Sequence, residues 1–255
     1  MTVDPYSYDP KTFFDSFYRT MKVANWITDR QTVGELDPRH IRHHYNSLEN
    51  LILESIGNTP LGPVLDFGAG AGHWADFALN VLETKWVDLV DTSSIARDHL
   101  SSKYSAIKQV EVYDSLYKTF TRRYDAVFAI GVLFHIVDDA KWESTLHRLI
   151  ERLTPGGRLF VSEKFHTYGT MTELEPTKAR DVQFHATDKF STWAECYNVN
   201  QRPAVLVHKR LRCLYEWKRV VREAGAKVEL VWYNRAPFGY ITPENSLMVV
   251  RKEDE

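Results

Sequence analysis

The chain has 255 residues, 44% of them hydrophobic and 26% charged, which is enough apolar material for one sizeable core. A formal net charge of −2 gives no bulk attraction to nucleic acid or to an anionic membrane. Two cysteines, Cys196 and Cys213, are too few for a disulfide framework or a cysteine metal cluster and point to a reducing, cytoplasmic setting. The first ten residues do not read as a secretory signal, and the longest apolar stretch, 126–137, is too short to span a bilayer. No fixed-period repeat or low-complexity tract is present.

Two helical patterns come first in the chain. Phe13, Phe14, Phe17, Tyr18 and Met21 share one side of the first. Asp37 as N-cap and Pro38 as first helical residue open a second, which carries Ile41, Tyr45, Leu48 and Ile52 and is suited to stop at Gly57. His40, His43 and His44 sit on it at a spacing that chelates metals, but no neighbouring acid completes a ligand set, so solvated histidines and no metal are expected.

Val64-Leu65-Asp66-Phe67 reads as a short buried strand, Gly68-Ala69-Gly70-Ala71-Gly72 as a glycine turn, and Trp74, Phe77, Ala78, Val81 and Leu82 as one face of a helix. Glycine lacks a Cβ, so the chain can turn sharply and its backbone N–H groups can approach a ligand. A second strand, Trp86-Val87-Asp88-Leu89-Val90, ends in Asp91, nineteen residues after Gly72, with Thr92, Ser93 and Ser94 available to cap the next helix. An acid at that point accepts hydrogen bonds from a ribose diol. A dinucleotide fingerprint requires a third glycine where this chain has His73, which disfavours a phosphate-bearing ligand.

Four further blocks follow in order: 109–114, a third strand with trailing acid; 125–135, a fourth strand running into His135; a helix capped by Asp138 and Asp139 with Trp142, Leu146, Leu149, Ile150 and Leu153 on its inner face; and 153–161, a Pro-Gly-Gly turn and fifth strand. Trp217, Val220, Val221 and Ala224 mark another helix, stopped by Gly225, and 227–232 and 246–251 read as two closing strands. Between fifth strand and last helix lies an insertion, about 164–210, that holds His166, Tyr168, Met171, Phe184, His185, Trp193, Tyr197 and His208. Long insertions above the carboxyl ends of parallel strands are where such folds build substrate sites.

This series of blocks, covering about 61–164, resembles the class I S-adenosylmethionine-dependent methyltransferases, with Gly68-x-Gly70-x-Gly72 as motif I and 125–135 as motif IV. The resemblance implies an α/β fold: a doubly wound, mostly parallel seven-stranded sheet with an antiparallel last strand inserted in it. It also implies an N-terminal helical lid over 1–60 and a core over 61–255 with a substrate cap at about 164–210. S-adenosylmethionine is the implied cofactor, held by Asp66, Gly68, Gly70, Gly72, Asp91, Thr92, Asp114, Ser115 and Ile130, with Asp114 facing the adenine amino group. Methyl transfer needs in-line positioning and exclusion of water, and needs a base only when the acceptor must lose a proton. His135, just past the fourth strand, is the first candidate base, followed by His166 and Glu163 at the end of the fifth.

The acceptor is narrowed by what is missing. The Asn/Asp-Pro-Pro-Tyr/Phe tetrad of amine- and amide-methylating relatives is replaced by Ile130-Gly131-Val132-Leu133, and two distant cysteines do not suit arsenic. A small organic molecule methylated on oxygen, nitrogen or carbon is the expected partner, with nucleic acid and membrane not expected. An RNA or protein acceptor held by Lys178, Arg180, Lys209, Arg210 and Arg212 stays open as an alternative, as does a non-catalytic, cofactor-binding subunit.

Overall fold

The apolar run ending at Phe67 forms strand β1 (Pro63–Phe67), which pairs in parallel with β2 (Trp86–Val90) on one edge and β4 (Tyr124–Ile130) on the other. A strand with both edges paired and both faces covered is apolar along its length, as Val64 and Leu65 are. The computed structural model describes residues 9–20, 38–57, 60–116, 122–163, 165, 182–186, 192–198, 205–232 and 246–253. With β3 (Val110–Tyr113), β5 (Leu153–Glu163), β9 (Ala226–Trp232) and β10 (Ser246–Lys252), the seven-stranded sheet has the order β3-β2-β1-β4-β5-β10-β9. Strand β10 runs antiparallel to both its neighbours, as the sequence led one to expect.

Helices cover both faces, so the sheet is doubly wound. Val64, Val87, Leu89, Ala126, Phe128 and Phe160 meet α2 (Pro38–Ile56), α3 (His73–Asn80) and α4 (Ser94–Lys103) through Leu48, Ile52, Trp74, Phe77 and Leu100. On the opposite face, Leu65, Val127, Ala129, Leu159, Val161 and Met248 meet α5 (Asp139–Glu151) and α6 (Leu214–Glu223) through Trp142, Leu146, Trp217 and Val220. Leu48 and Ile52 are fully buried, so α2 is a wall of the core as well as a flanking helix.

The first helix, α1 (Pro10–Thr20), starts where Asp9 accepts hydrogen bonds from the backbone N–H and hydroxyl of Thr12 at 3.1 and 2.6 Å. Its Tyr18 packs with Ala96 of α4. Asp37 and Met21 lie outside the described residues, as do the side chains of Phe13, Phe17, His40, His43 and His44. Gly57, at φ 69°, ends α2 in the left-handed region, where a Cβ is costly.

Two boundaries differ from the sequence reading. Helix α3 stops at Asn80, leaving Val81 51% exposed instead of on the buried face. Leu153, expected on the inner stripe of α5, is the first residue of β5 and pairs with Tyr124; its burial comes from the sheet. Apolar residues at a helix-to-strand junction satisfy either periodicity.

The insertion contains three antiparallel strands, β6 (Val182–Ala186), β7 (Thr192–Asn198) and β8 (Val205–Arg212), in that order in a separate sheet. Phe184 and His185 stand on β6, Trp193 and Tyr197 on β7 and His208 on β8, whereas His166, Tyr168 and Met171 lie outside the described residues. Among the described residues no helix is long and apolar enough to cross a membrane.

A buried charge that the sequence did not advertise sits within β2. Asp88, 1% exposed, accepts hydrogen bonds from Trp86 Nε1 (2.7 Å), Arg122 Nη1 (2.9 Å) and the Tyr124 hydroxyl (2.6 Å), while the Arg122 guanidinium lies over the Trp86 ring. A carboxylate so fully partnered is tolerated in a sheet interior.

Candidate active site at the carboxyl edge of the sheet

Strand order reverses between β1 and β4, with β2 and β3 laid down on one side and β4 and β5 on the other, and the crevice outside the carboxyl ends of strands at such a point is where open α/β sheets bind ligands. Asp66, Asp91, Asp114 with Ser115, Ile130 and Glu163 stand at or just past the ends of β1, β2, β3, β4 and β5. The sheet therefore brings them to one rim.

The glycine turn is left-handed at all three positions: Gly68, Gly70 and Gly72 have φ of 79°, 51° and 82°. A Cβ on Gly68 would lie 2.3 Å from Val132 Cγ2, so the loop after β4 packs directly on the turn. Its amides are committed. Gly68 and Ala69 donate to Val90 O (2.7 and 3.1 Å), Gly72 donates to Ala69 O (2.7 Å) and Gly70 donates to Asp91 Oδ2 (2.8 Å). The sequence reading had these amides reaching for a ligand; in the structure they hold the turn closed, and no phosphate cradle is formed by those four. The far side is pinned by Lys103, which donates to Ala71 O (3.1 Å) and pairs with Asp76 (2.7 Å), and by the Tyr104 hydroxyl, 2.8 Å from both Gly72 O and Asp76 Oδ1.

Asp91 is 7% exposed and accepts from Gly70 N and from Ser93 N, each at 2.8 Å. A carboxylate offers about four acceptor positions, so roughly two are left for a diol. Burial raises its pKa, while the two amides and Arg97 oppose that rise. Arg97 also ties down the segment by donating to the carbonyls of Asp91 and Thr92, both at 2.8 Å. Thr92 itself is exposed, and Ser93, not Thr92, is the N-cap of α4, accepting from Ala96 N at 3.2 Å.

Helix α1 docks beside this point. Asp15 accepts from the Ser93 hydroxyl (2.7 Å) and from Ser94 N (2.8 Å), adding a carboxylate at the positive end of α4. Burial opposes its charge, but the hydrogen bonds from Ser93 and Ser94 win and hold its pKa below the ordinary value. No local pattern signals this contact, which joins residues 78 and 79 positions apart. On the same helix, Phe14 meets the His135 ring edge to face, centroids 4.9 Å apart at 89°.

His135 ends a short 3-10 turn (Leu133–His135) that Gly131, at φ 73°, swings out of β4. Glu163 lies near the same turn but inside the protein, 1% exposed. The Trp217 indole N–H and the Phe134 backbone N–H favour its charged form without closing to hydrogen bonds. Burial pushes its carboxyl up to about 8 despite the Arg212 charge. Of the three candidate bases, His135 is part-exposed and Glu163, though at the end of β5, is buried, while His166 lies outside the described residues. Among the described residues no group of three metal-ligating side chains gathers.

Asp66, 1% exposed, has one carboxylate oxygen without a partner, and burial together with the charge of Asp91 pushes it up to about 8. A group that binds its proton more tightly folded than unfolded stabilises the fold at low pH and loses that contribution as pH rises toward its folded pKa. Between its ordinary 3.8 and about 8, Asp66 therefore makes stability fall with pH. In urea titrations of Asp66→Asn, the slope of unfolding free energy against pH from 5 to 7 is expected to be less negative than the parent's by about 1.4 kcal/mol per pH unit. An unchanged slope would mean Asp66 is ionised in the fold.

A family model described as a methyltransferase domain matches residues 39–231, three quarters of the chain. No curated protein matches by sequence. Among solved structures, 1,6-didemethyltoxoflavin-N1-methyltransferase from Burkholderia thailandensis, with its substrate and S-adenosylhomocysteine bound, superposes with TM-score 0.60 at 17% identity, over 99% of this chain and 94% of that one. An S-adenosylmethionine-dependent methyltransferase from Clostridium acetobutylicum gives 0.61 at 12%, over 94% and 99%. The N-methyltransferase NodS from Bradyrhizobium japonicum, in complex with S-adenosylhomocysteine, gives 0.56 at 12%, over 89% and 98%. At these identities the likeness is one of fold. With the family model spanning three quarters of the chain, the glycine turn and the rim included, the chain belongs to the methyltransferase domain family.

Proposed function

We propose that this protein transfers a methyl group from S-adenosylmethionine to oxygen, nitrogen or carbon of a small organic molecule, and that it works in the cytoplasm. The observation that carries the cofactor assignment is the turn itself: a glycine loop, left-handed at each glycine, in which the amides of Gly68, Ala69, Gly70 and Gly72 are spent internally, beside a buried carboxylate with acceptor capacity to spare. That combination suits a ribose and a phosphate-free ligand better than a pyrophosphate. Asp66 fits as well, since an ammonium group at its unpartnered oxygen would favour the ionised form that burial opposes in the free protein. When bound, S-adenosylmethionine supplies an electrophilic methyl on a sulfonium. The reading assigns Asp91 and Thr92 to the ribose, Asp114 and Ser115 to the base, and Ile130 with the glycines to the walls.

The chain's own contribution to the chemistry is confinement. Phe14 on α1 and His135 on the turn face each other, and the strands of the 164–210 insertion form the substrate cap in this reading, so that water is excluded and the acceptor atom is held in line. If the acceptor carries a proton, the His135 imidazole takes it as the new bond to carbon forms. The 1,6-didemethyltoxoflavin bound to the Burkholderia thailandensis N1-methyltransferase supports a small acceptor. The RNA alternative loses one of its supports, because Arg212 is fully buried and not part of an open basic face. Cys213 is a buried free thiol, in keeping with a reducing compartment.

Incubating metabolite extracts with isotopically methyl-labelled S-adenosylmethionine tests the proposal: one small compound should acquire the label, and label in RNA or protein alone would contradict it. With that compound as substrate, His135→Ala is expected to lower kcat by about 10²-fold or more with affinity for S-adenosylhomocysteine within twofold. Parent-like turnover would remove His135 from the chemistry.

A further inference from the structure

Arg212 is a charged side chain with no exposed surface, and its surroundings account for where its charge goes. It is the last residue of β8, the strand through which the insertion returns to the core, and β8 packs against the 133–135 turn. Its guanidinium donates from Nη2 to Ile136 O at 2.9 Å and from Nε and Nη2 to Asp139 Oδ1 at 3.2 and 3.0 Å. Its plane lies over the Trp142 ring at 4.3 Å, and the Glu163 carboxyl feels its charge. Ile136 is the residue after His135, and Asp139 opens α5. One side chain thereby grips the segment between the His135 turn and α5 at both ends, the first of them the residue directly after His135.

Burying a guanidinium costs several kcal/mol unless its donors are matched, and a helix start already has a cheaper anchor here in Asp138, whose side chain accepts from Lys141 N at 2.8 Å. Arg212 is therefore not needed to cap α5. What it adds is a rigid link between the root of the inserted strands and the His135 turn. We propose that Arg212 is a positioning residue: it fixes the orientation of His135 against Phe14 and joins that orientation to the seating of the insertion on the core. The inference goes beyond the proposed reaction, since it concerns the geometry of the turn whether or not His135 serves as base.

The fork shape of the side chain gives the test its graded form. Arg212→Met keeps the apolar stem and removes every donor; Arg212→Lys keeps a charge but cannot stack as a plane or give paired donors to Asp139. Binding of S-adenosylhomocysteine is measured by calorimetry, and the His135 Cε1–H resonance, shifted by the Phe14 ring, is followed by NMR in the full-length protein. In Arg212→Met the resonance is expected to move toward the position of a free imidazole with affinity for S-adenosylhomocysteine within twofold, and Arg212→Lys should fall between. An unmoved resonance in Arg212→Met overturns the proposal, as does a loss of ligand affinity in parallel with melting temperature, which would make Arg212 a general stabiliser. Should Arg212→Met fail to fold, Asp139→Asn weakens the same grip from the other side, and an unmoved His135 signal there overturns it equally. Unaffected turnover in His135→Ala would remove the base assignment and leave this result standing.

Discussion

Gly68→Val is expected to abolish binding of S-adenosylhomocysteine and to lower the melting temperature by several degrees. Two effects add. At φ 79° an L-residue pays about 1–2 kcal/mol of backbone strain, and the new Cβ would lie 2.3 Å from Val132 Cγ2 and 2.7 Å from Cγ1, well inside contact distance. The loop after β4 must then move, and it carries His135 with it. Because Gly68 N and Ala69 N both donate to Val90 O, displacement of Gly68 also loosens the turn at the end of β2. Gly68→Ala separates the two effects: combined with Val132→Ala it should recover the part due to collision and keep the part due to backbone strain. Calorimetry and thermal melts on the three variants check this. Parent-like affinity in Gly68→Val would mean that the turn does not shape the ligand seat.

Asp91→Ala is expected to weaken binding of S-adenosylhomocysteine at least tenfold, equivalent to about 1.4 kcal/mol, since hydrogen bonds to a charged group contribute about 1.5–3 kcal/mol each. The structure adds a second route to the same loss. Asp91 is what Gly70 N and Ser93 N donate to, so alanine also leaves two amides of the turn and of the α4 cap without their acceptor. Asp91→Asn should be intermediate, retaining one acceptor oxygen of nearly the same shape. Affinity by calorimetry that is unchanged in the alanine variant would place the ribose elsewhere.

The parts of this fold that could be read along the chain are those written in local periodicity. Strand β2 was read to the residue, the glycine turn and Asp91 were seen from spacing, and Asp138 and Ser93 stand as caps where short polar side chains precede apolar periodicity. Boundaries failed where one apolar residue serves two periods, as Leu153 does between α5 and β5. What was not legible depends on pairings far apart in sequence. Arg212 reads as one more surface cation among Lys209 and Arg210, and only the fold brings it to Asp139, 73 positions earlier, and to Trp142. Asp15 reads as a polar residue between aromatics, and only the docking of α1 on α4 makes it a second carboxylate at that helix start. Asp88 is hidden for the same reason, being partnered by Tyr124 at the start of β4 and by Arg122 just before it. The role of the loop amides was misjudged because a glycine pattern reports conformational freedom without saying whether the freed N–H groups turn inward or outward.

The measurement that bears most directly on the central claim is a crystal structure of the protein grown with S-adenosylhomocysteine. The account requires density for the adenosine over the 68–72 turn, with both ribose hydroxyls on Asp91 and the amino-acid ammonium toward Asp66. Density for the ligand at any other place on the chain, or a turn that takes up a dinucleotide pyrophosphate in competition and leaves Asp91 uncontacted, would contradict it.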